Sequence, residues 1–437
     1  MATQNSDFNS VDAQSTEAPS AWRARTVLIV LTLIATVQFF DRALMVVILE
    51  PLKQEFSLTD AQLGFLSGFS YAAAFALAGI PFGWMADRGN RRNLLAALLA
   101  IWSALVAFAG SANSFMALVL TRVGIGAADA GGQPCSVSII SDLYPTQRRA
   151  SAVAIFFVGV PLGMASGFIV GAIVAGQLGW RTAFYVAAAP GVLLTILLLL
   201  LVKEPKRGAS DGLQESKDNA PPLSETFAFM RSQKSLVYLM AASVLVTASS
   251  SAMMSWIGSL LVRVHGLSLE NVGLLTGLCM GGFGAIGTLV FGWVADRQGA
   301  KDMRNQPRMM AIAAAVIAIS GTAVSLLPTV LGAAISLALF ASMVAGLNGP
   351  TYALTQSLVR VRMRGTSMST LVVLLNLIGV GVGPALAGIL SDQFAAASGA
   401  ESVRWAMVCV LMMNIPAVVL FVRCAHTIQD DLQRAQA

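Results

Sequence analysis

Apolar runs of about 20 residues, the length that crosses the hydrocarbon core of a bilayer, recur from one end of this chain to the other. Short polar stretches separate them. Twelve such spans are read, at 26–50, 61–85, 92–112, 115–143, 150–176, 181–203, 234–262, 267–294, 307–328, 330–358, 366–391 and 402–424. Only 11% of the 437 residues are charged, against roughly 25% in a soluble domain. The lipid bilayer is therefore the expected solvent. The predicted fold class is an all-α membrane protein with 12 transmembrane helices in two six-helix bundles.

The polar stretches divide the chain. Residues 1–25 are read as a disordered tail, 26–203 as the N-terminal bundle, 204–233 as a linker rich in charge, Pro, Gly and Ser, 234–425 as the C-terminal bundle, and 426–437 as a second tail. Orientation follows from the basic residues. If both termini are cytoplasmic, cytoplasmic segments hold 22 of the 28 Lys and Arg residues. Outside segments hold only Lys53, Arg181, Arg263 and Arg404, while Arg42 and Arg122 fall inside spans. This is the positive-inside bias. It accounts for the net charge of +6 without nucleic acid as a partner.

One phrase is written twice. "PFGWMADRGNRR" closes the second span and "VFGWVADRQGAK" closes the eighth, so FGW-x-ADR starts at Phe82 and again at Phe291. Two halves with matching order imply an internal duplication. Parallel repeats about an axis along the membrane normal are a transporter plan, with substrate bound at the midplane between them.

These residues resemble the major facilitator superfamily. "GWMADRGNRR" matches its signature loop, Gly-x-x-x-Asp-Arg-x-x-Arg-Arg, and "RVGIGAADAGGQP", with Arg122 and Gly126, resembles its fourth-helix signature. The opening from "QFFDRALMVVILE" to "DRGNRR" is similar to Spinster-like lipid transporters, and also to anion:cation symporters for organic acids. Both subgroups show Asn-Tyr-x-Asp-Arg in helix one and Gly-Glu-Ala in helix four. Here Gln38 stands in the Asn place and Asp129 in the Glu place. The resemblance implies proton coupling through acids at these positions, and in the organic-acid symporters the Arg matching Arg42 clasps the substrate carboxylate.

Asp41, Arg42, Arg122 and Asp129 lie at bilayer depth, where a charge costs a few kcal/mol or more unless it faces a cavity or a partner. Asp41 is nine residues before Glu50, and Arg122 seven after Phe115, which at 1.5 Å per residue gives similar depths. The two are therefore expected to meet, with Asp129 on the same face as Arg122 and deeper. A carboxyl alone in a dry cavity holds its proton more tightly than one beside a guanidinium. Asp41 and Asp129 are read as proton-coupling sites and Arg122 as their switching partner, the bland alternative being a static ion pair. Arg42 is read either as a substrate contact or as a second partner of Asp129. Gln38, Asn348, Gln356 and Asn376 suit substrate orientation or helix–helix bonding alike.

Gly83, Asp87, Arg88, Arg91 and Arg92, with Asp296 and Arg297 of the second copy, are read as a conformational latch. Asp87 is expected at the N-terminus of helix eleven and Asp296 at that of helix five, where an acid gains from the helix dipole. The alternative is a positive-inside anchor. Gly159, Gly163, Gly167 and Gly171 at four-residue spacing, and Gly379, Gly383 and Pro384 in helix eleven, read as close-packing surfaces. Met253, Met254, Trp256, Met280 and Phe283 replace deep charges in the second half. They are read as core or lipid-facing, or else as an apolar cavity wall.

The sequence disfavours other classes. It has no Walker-type Gly-x-x-x-x-Gly-Lys-Ser/Thr loop, and its two histidines, His265 in an outer loop and His426 near the C-terminus, can neither partner a buried nucleophile nor hold a metal together. Its four cysteines stand singly, without disulfide or metal spacing. No enzyme activity, metal or cofactor is expected. The expected function is a proton-coupled secondary transporter for an amphipathic, lipid-like substrate, working as a monomer in the plasma membrane, as in a bacterial inner membrane. Small organic acids such as sugar acids or aromatic carboxylates are the alternative substrates. A drug or metabolite exporter, or a sensor on a transporter fold, are the other readings.

Overall fold

The computed structural model describes residues 21–205, 222–299 and 301–436. Among these, eleven helical stretches are long and apolar enough to cross a membrane. The first ten are α1 (Trp22–Val47), α2 (Asp60–Ala86), α3 (Arg91–Gly110), α4 (Phe115–Leu143), α5 (Ser151–Leu178), α6 (Trp180–Leu201), α7 (Lys234–His265), α8 (Leu269–Gly299), α9 (Asn305–Leu326) and α10 (Val330–Ser357). The eleventh, Arg364–Ala435, has 72 residues. It reverses at Gly399, whose φ of 54° a residue with a Cβ rarely adopts, and so divides into α11 (364–398) and α12 (402–436). Twelve spanning helices result.

Two boundaries differ from the sequence reading. α12 continues through the stretch read as a tail, because Asp431 is fully buried and accepts the Ser235 N–H at 2.6 Å at the start of α7. An acid at a helix N-terminus satisfies amides that have no partner within the helix. Within the stretch read as a linker, Leu223–Ser232 is helical, and Glu204 is fixed by Arg91 at 2.8 Å. The remaining linker residues, 206–221, and residues 1–20 lie outside the described ones.

Close backbone contact positions α1. A Cβ added at Gly159, Gly163 or Gly167 of α5 would run into the carbonyl oxygens of Thr32, Thr36 and Phe40 on α1. The missing side chains let α5 lie directly on α1, and this fixes the rotation of the helix that carries Asp41 and Arg42. The stripe read as a packing surface packs against α1.

The two halves touch toward one end of the helices. α2 meets α11 where Gly64 lies on Pro384 and Gly68 on Gly381. α8 meets α5 where Gly273 lies on Phe168 and Gly277 on Ile169. All these contacts lie toward the face that holds the α1–α2 and α7–α8 connections, called outer here by the charge bias. Toward the inner face the halves part. A Cβ added at Gly79, Gly83 or Gly292 would meet nothing within 4 Å, and Ile80, Trp84 and Trp293 are exposed. The halves therefore pack closely at the outer face, while α2 and α8 carry exposed residues toward the inner one. α2, α8 and α11 each contain a π-helical turn, at Phe65–Phe69, Leu278–Phe283 and Leu375–Val380, a feature common at functional sites.

Candidate transport site

Charge in the N-terminal half is concentrated between α1, α2 and α4. Arg122 of α4 donates to Asp41 of α1 through two nearly parallel bonds, Nη1 to Oδ2 at 2.9 Å and Nη2 to Oδ1 at 3.3 Å. Such a fork is the strongest geometry for this ion pair. Both residues are buried, and the guanidinium lies 5.4 Å from the centre of the Phe184 ring. Water cannot screen this pair.

A second cluster centres on Asp129. Arg42 donates from Nη2 to Asp129 Oδ2 at 3.2 Å, and the Tyr71 hydroxyl donates to the same oxygen at 2.6 Å. The other oxygen, Oδ1, is buried without a hydrogen-bond partner among the described residues. α4 breaks directly after Asp129, at Ala130–Gly131, so the acid ends one helical piece instead of lying within a continuous ladder. Gly126, in the fourth-helix signature, has no Cβ to collide with the Tyr71 carbonyl. That absence lets α2 lie on α4 and carries Tyr71 to Asp129.

Arg42 is the member that faces outward from this cluster. Its side chain is 29% exposed, against 1% for Asp129. Three rings surround it, with Phe39, Tyr71 and Phe75 centred 4.5, 4.8 and 5.7 Å from its Cζ. Aromatic faces attract a guanidinium electrostatically. They also leave its fork free of competing acceptors on that side. Gln38 lies against Gly132 of α4, close to the break.

The remaining predicted residues are placed elsewhere. Asn348 and Gln356 are exposed on α10, and Asn376 folds back on its own helix, donating from Nδ2 to the Val372 carbonyl at 2.9 Å. Met253 and Trp256 are buried in the core, and the Trp256 indole ties α7 to the Pro384 carbonyl at 3.0 Å. Phe283 lies in an apolar groove of about 550 Å³ between α8 and α10. Gly83 is uncrowded. Arg88 stacks on Trp84 at 4.5 Å and Arg297 on Trp293 at 5.4 Å. The side chains of Asp87 and Asp296 lie outside the described residues.

Arg91 and Arg92 act within one half in this state. Arg91 is buried and donates to Asp142 at 2.5 Å, to Ser138 at 2.8 Å and to Glu204 at 2.8 Å. Arg92 bonds the Leu199 carbonyl. They brace α3 to the inner ends of α4 and α6. Sequence reasoning missed Tyr71, whose only signal is a hydroxyl in an apolar run. It also missed the acids Glu50, Asp60 and Asp392, read as span boundaries.

Comparison with known proteins places the chain in a family. The sequence model of the Major Facilitator Superfamily matches residues 31–384. The chain belongs to the major facilitator superfamily. A bacterial homolog of the human lysosomal transporter Spinster, crystallised inward-facing and unoccupied, is 28% identical. It superposes with a TM-score of 0.86 over 94% of this chain and 99% of that one. An MFS-type efflux pump of Mycolicibacterium smegmatis is 27% identical over 436 residues, 98% of each chain. The sphingosine-1-phosphate transporter SPNS2 of Danio rerio is 27% identical over 249 residues, 56% of this chain and 49% of its own length. The protein is thus a multi-pass facilitator-superfamily transporter with Spinster-like relatives, not an enzyme.

Proposed function

We propose that this transporter couples protons to the movement of an amphipathic anion through the Arg42–Asp129–Tyr71 cluster. The observation that carries the reading is the division of roles at Asp129: Arg42 is partly exposed while Asp129 is buried behind it with one oxygen unbonded among the described residues. An anionic head group entering from the open side meets Arg42 first. The guanidinium fork suits a carboxylate or a phosphate, and engaging it weakens the bond to Asp129. The carboxylate left with only Tyr71 in an apolar setting then takes a proton. Anion binding and protonation favour each other, and the coupling is reciprocal. Arg122 plays the corresponding part for Asp41, holding it charged until the halves rock and the pair separates.

The likeness to a sphingosine-1-phosphate transporter and to a Spinster homolog supports a substrate with an anionic head on an apolar chain. The rings of Phe39, Tyr71 and Phe75 around Arg42 suit such a junction. The charge bias supports cytoplasmic termini and hence an inward-open chamber.

The test is uptake into proteoliposomes under an imposed pH gradient, with a sphingoid phosphate, a lysophospholipid and a sugar acid as candidates. Gradient-driven flux of a lipid-like anion, lost in Asp129→Asn and Asp41→Asn, is expected. Flux of the sugar acid alone would replace the lipid-like substrate with a small organic acid. Full gradient-driven flux in both variants would refute the coupling.

A further inference from the structure

The outer seal is ionic, and none of its members belongs to the transport site. Arg263, near the outer end of α7, reaches into the other half. Its Nε donates to Glu50 Oε1 at 2.7 Å, and its Nη1 and Nη2 donate to Asp60 Oδ2 and Oδ1 at 2.7 and 2.8 Å. Lys53 donates to the same Asp60 carboxylate at 2.5 Å, and Ser391 of α11 does so at 2.7 Å. Asp392, next to Ser391, accepts the backbone N–H groups of Asp60 and Ala61 at 2.9 and 2.8 Å. These are the first amides of α2, which have no partner within their own helix.

The arrangement divides cleanly between the halves. Glu50, Lys53 and Asp60 belong to the first, and Arg263, Ser391 and Asp392 to the second. Each half holds charges of both signs. When the halves part, Asp60 keeps Lys53, while Arg263 and Asp392 both go with the second half. The cluster borders a polar cavity of about 590 Å³, so water is at hand to solvate whatever is released. The contact also mirrors an expectation for the inner face. There an acid at the end of α2, Asp87, was expected at the N-terminus of α11. On the outer face an acid near the end of α11, Asp392, caps the N-terminus of α2.

We propose that Arg263 and Asp392 form an outer latch that holds the transporter closed to the outer face and must release for the chamber to open there. Arg263 supplies the charge contact and Asp392 the helix cap. The latch is independent of which substrate the chamber carries.

The test measures the distance between the halves directly. The full chain is used with Cys135, Cys279, Cys409 and Cys424 replaced and spin labels on Gln54→Cys and Ala400→Cys, reconstituted in lipid nanodiscs. The parent gives one short outer distance by pulsed electron resonance. In Arg263→Gln/Asp392→Asn a longer population is expected, raising the ratio of open to sealed at least about tenfold, equivalent to about 1.4 kcal/mol. Asp392→Asn alone, which keeps the size of the side chain, is expected to move the ratio in the same direction and carries the test if the double variant does not fold. An unchanged distance distribution in Asp392→Asn would overturn the latch.

Discussion

The hydroxyl of Tyr71 and the carboxylate of Asp129 meet at 2.6 Å across the contact of α2 with α4. Gly126, three residues before Asp129, makes the meeting possible by letting the α2 backbone lie on α4. A signature glycine in one helix therefore sets the hydrogen bonding of an acid in the same helix by admitting a residue from another. The acid shares one oxygen between a phenol and a guanidinium, and keeps the other unbonded.

Tyr71→Phe removes the one neutral donor to Asp129 without changing shape. A hydrogen bond to a charged group contributes about 1.5–3 kcal/mol. Because Phe keeps the ring over Arg42, the fold is expected to survive. In proteoliposomes, gradient-driven flux is expected to fall about tenfold or more, with the pH dependence of flux displaced. Equal flux and an unmoved pH profile would show that the phenol is a bystander.

The glycine stripe of α5 makes a graded prediction. In Gly163→Ala the new Cβ meets the Thr36 carbonyl and lies 2.8 Å from Phe39 Cβ, while in Gly171→Ala it meets the Leu44 Cδ1 methyl at 3.0 Å. A backbone carbonyl in a helix cannot move aside, but the end of a leucine can. Overpacking of the first kind costs about 1–3 kcal/mol, so Gly163→Ala is expected to lower the thermal unfolding midpoint in detergent clearly more than Gly171→Ala. Equal shifts would contradict the packing described.

Much of this was legible in the sequence because the bilayer simplifies the pattern. Span length gave the helices, and the paired FGW-x-ADR phrases gave the two halves. Depth counting along two spans put Asp41 and Arg122 at one level, and they do meet. What a single span cannot encode is its rotation against a neighbour. Tyr71 sits in an apolar run, and only the contact at Gly126 aims it at Asp129. Arg91 belongs to a recognisable signature, yet its partners Asp142 and Glu204 are 51 and 113 residues away. The outer acids lie at span ends, where hydropathy marks a boundary and nothing more. The extension of α12 was missed because its mixed polar sequence resembles a tail, while Asp431 is held by the start of α7.

Arg91 offers a stability test separate from transport. Its guanidinium joins Asp142 and Glu204 in a site where the arginine side chain is 2% exposed. Removing one member of a buried ion pair costs about 3–5 kcal/mol, because the partner charges remain. Arg91→Ala is expected to lose most folded protein, as read by the monodisperse peak in size exclusion. Arg91→Lys keeps the charge but not the fork and is expected to fall between. Full recovery of Arg91→Ala would mean that the cluster does not brace α3, α4 and α6.

At the outer face, Glu55 accepts from the Trp180 indole at 2.6 Å and from Arg181 at 2.8 Å. Slight burial pushes its carboxyl up, but the bonds from Trp180 and Arg181 outweigh this and hold it below the usual carboxylate range. A folded value below the unfolded one means stabilisation that is full above the unfolded carboxyl range and lost as pH falls through the folded value. Glu55→Gln is therefore expected to lower the unfolding midpoint slightly at neutral pH, the effect being small because the pair is half exposed. The difference from the parent should begin to shrink as pH falls through the ordinary glutamate range, about 4.3, and vanish only below the lower folded value. A difference that grows on acidification would have the wrong sign for this interaction.

The Asp41–Arg122 pair separates folding from coupling. Asp41→Asn leaves Arg122 buried and charged without its partner, and Arg122→Gln leaves Asp41 in the same position. Either single change is expected to cost about 3–5 kcal/mol. Asp41→Asn/Arg122→Gln removes both charges and keeps polar groups of similar size, so most of that loss should be recovered, since a buried pair adds little over a matched neutral one. Transport should not recover with it. If the pair were only structural, the double variant would regain both its unfolding midpoint and its gradient-driven flux. If Asp41 exchanges a proton as Arg122 lets go, the midpoint returns toward that of the parent while gradient-driven flux stays lost, and only exchange of substrate down its own gradient remains. Thermal unfolding and flux measured on the same three preparations decide between the two outcomes.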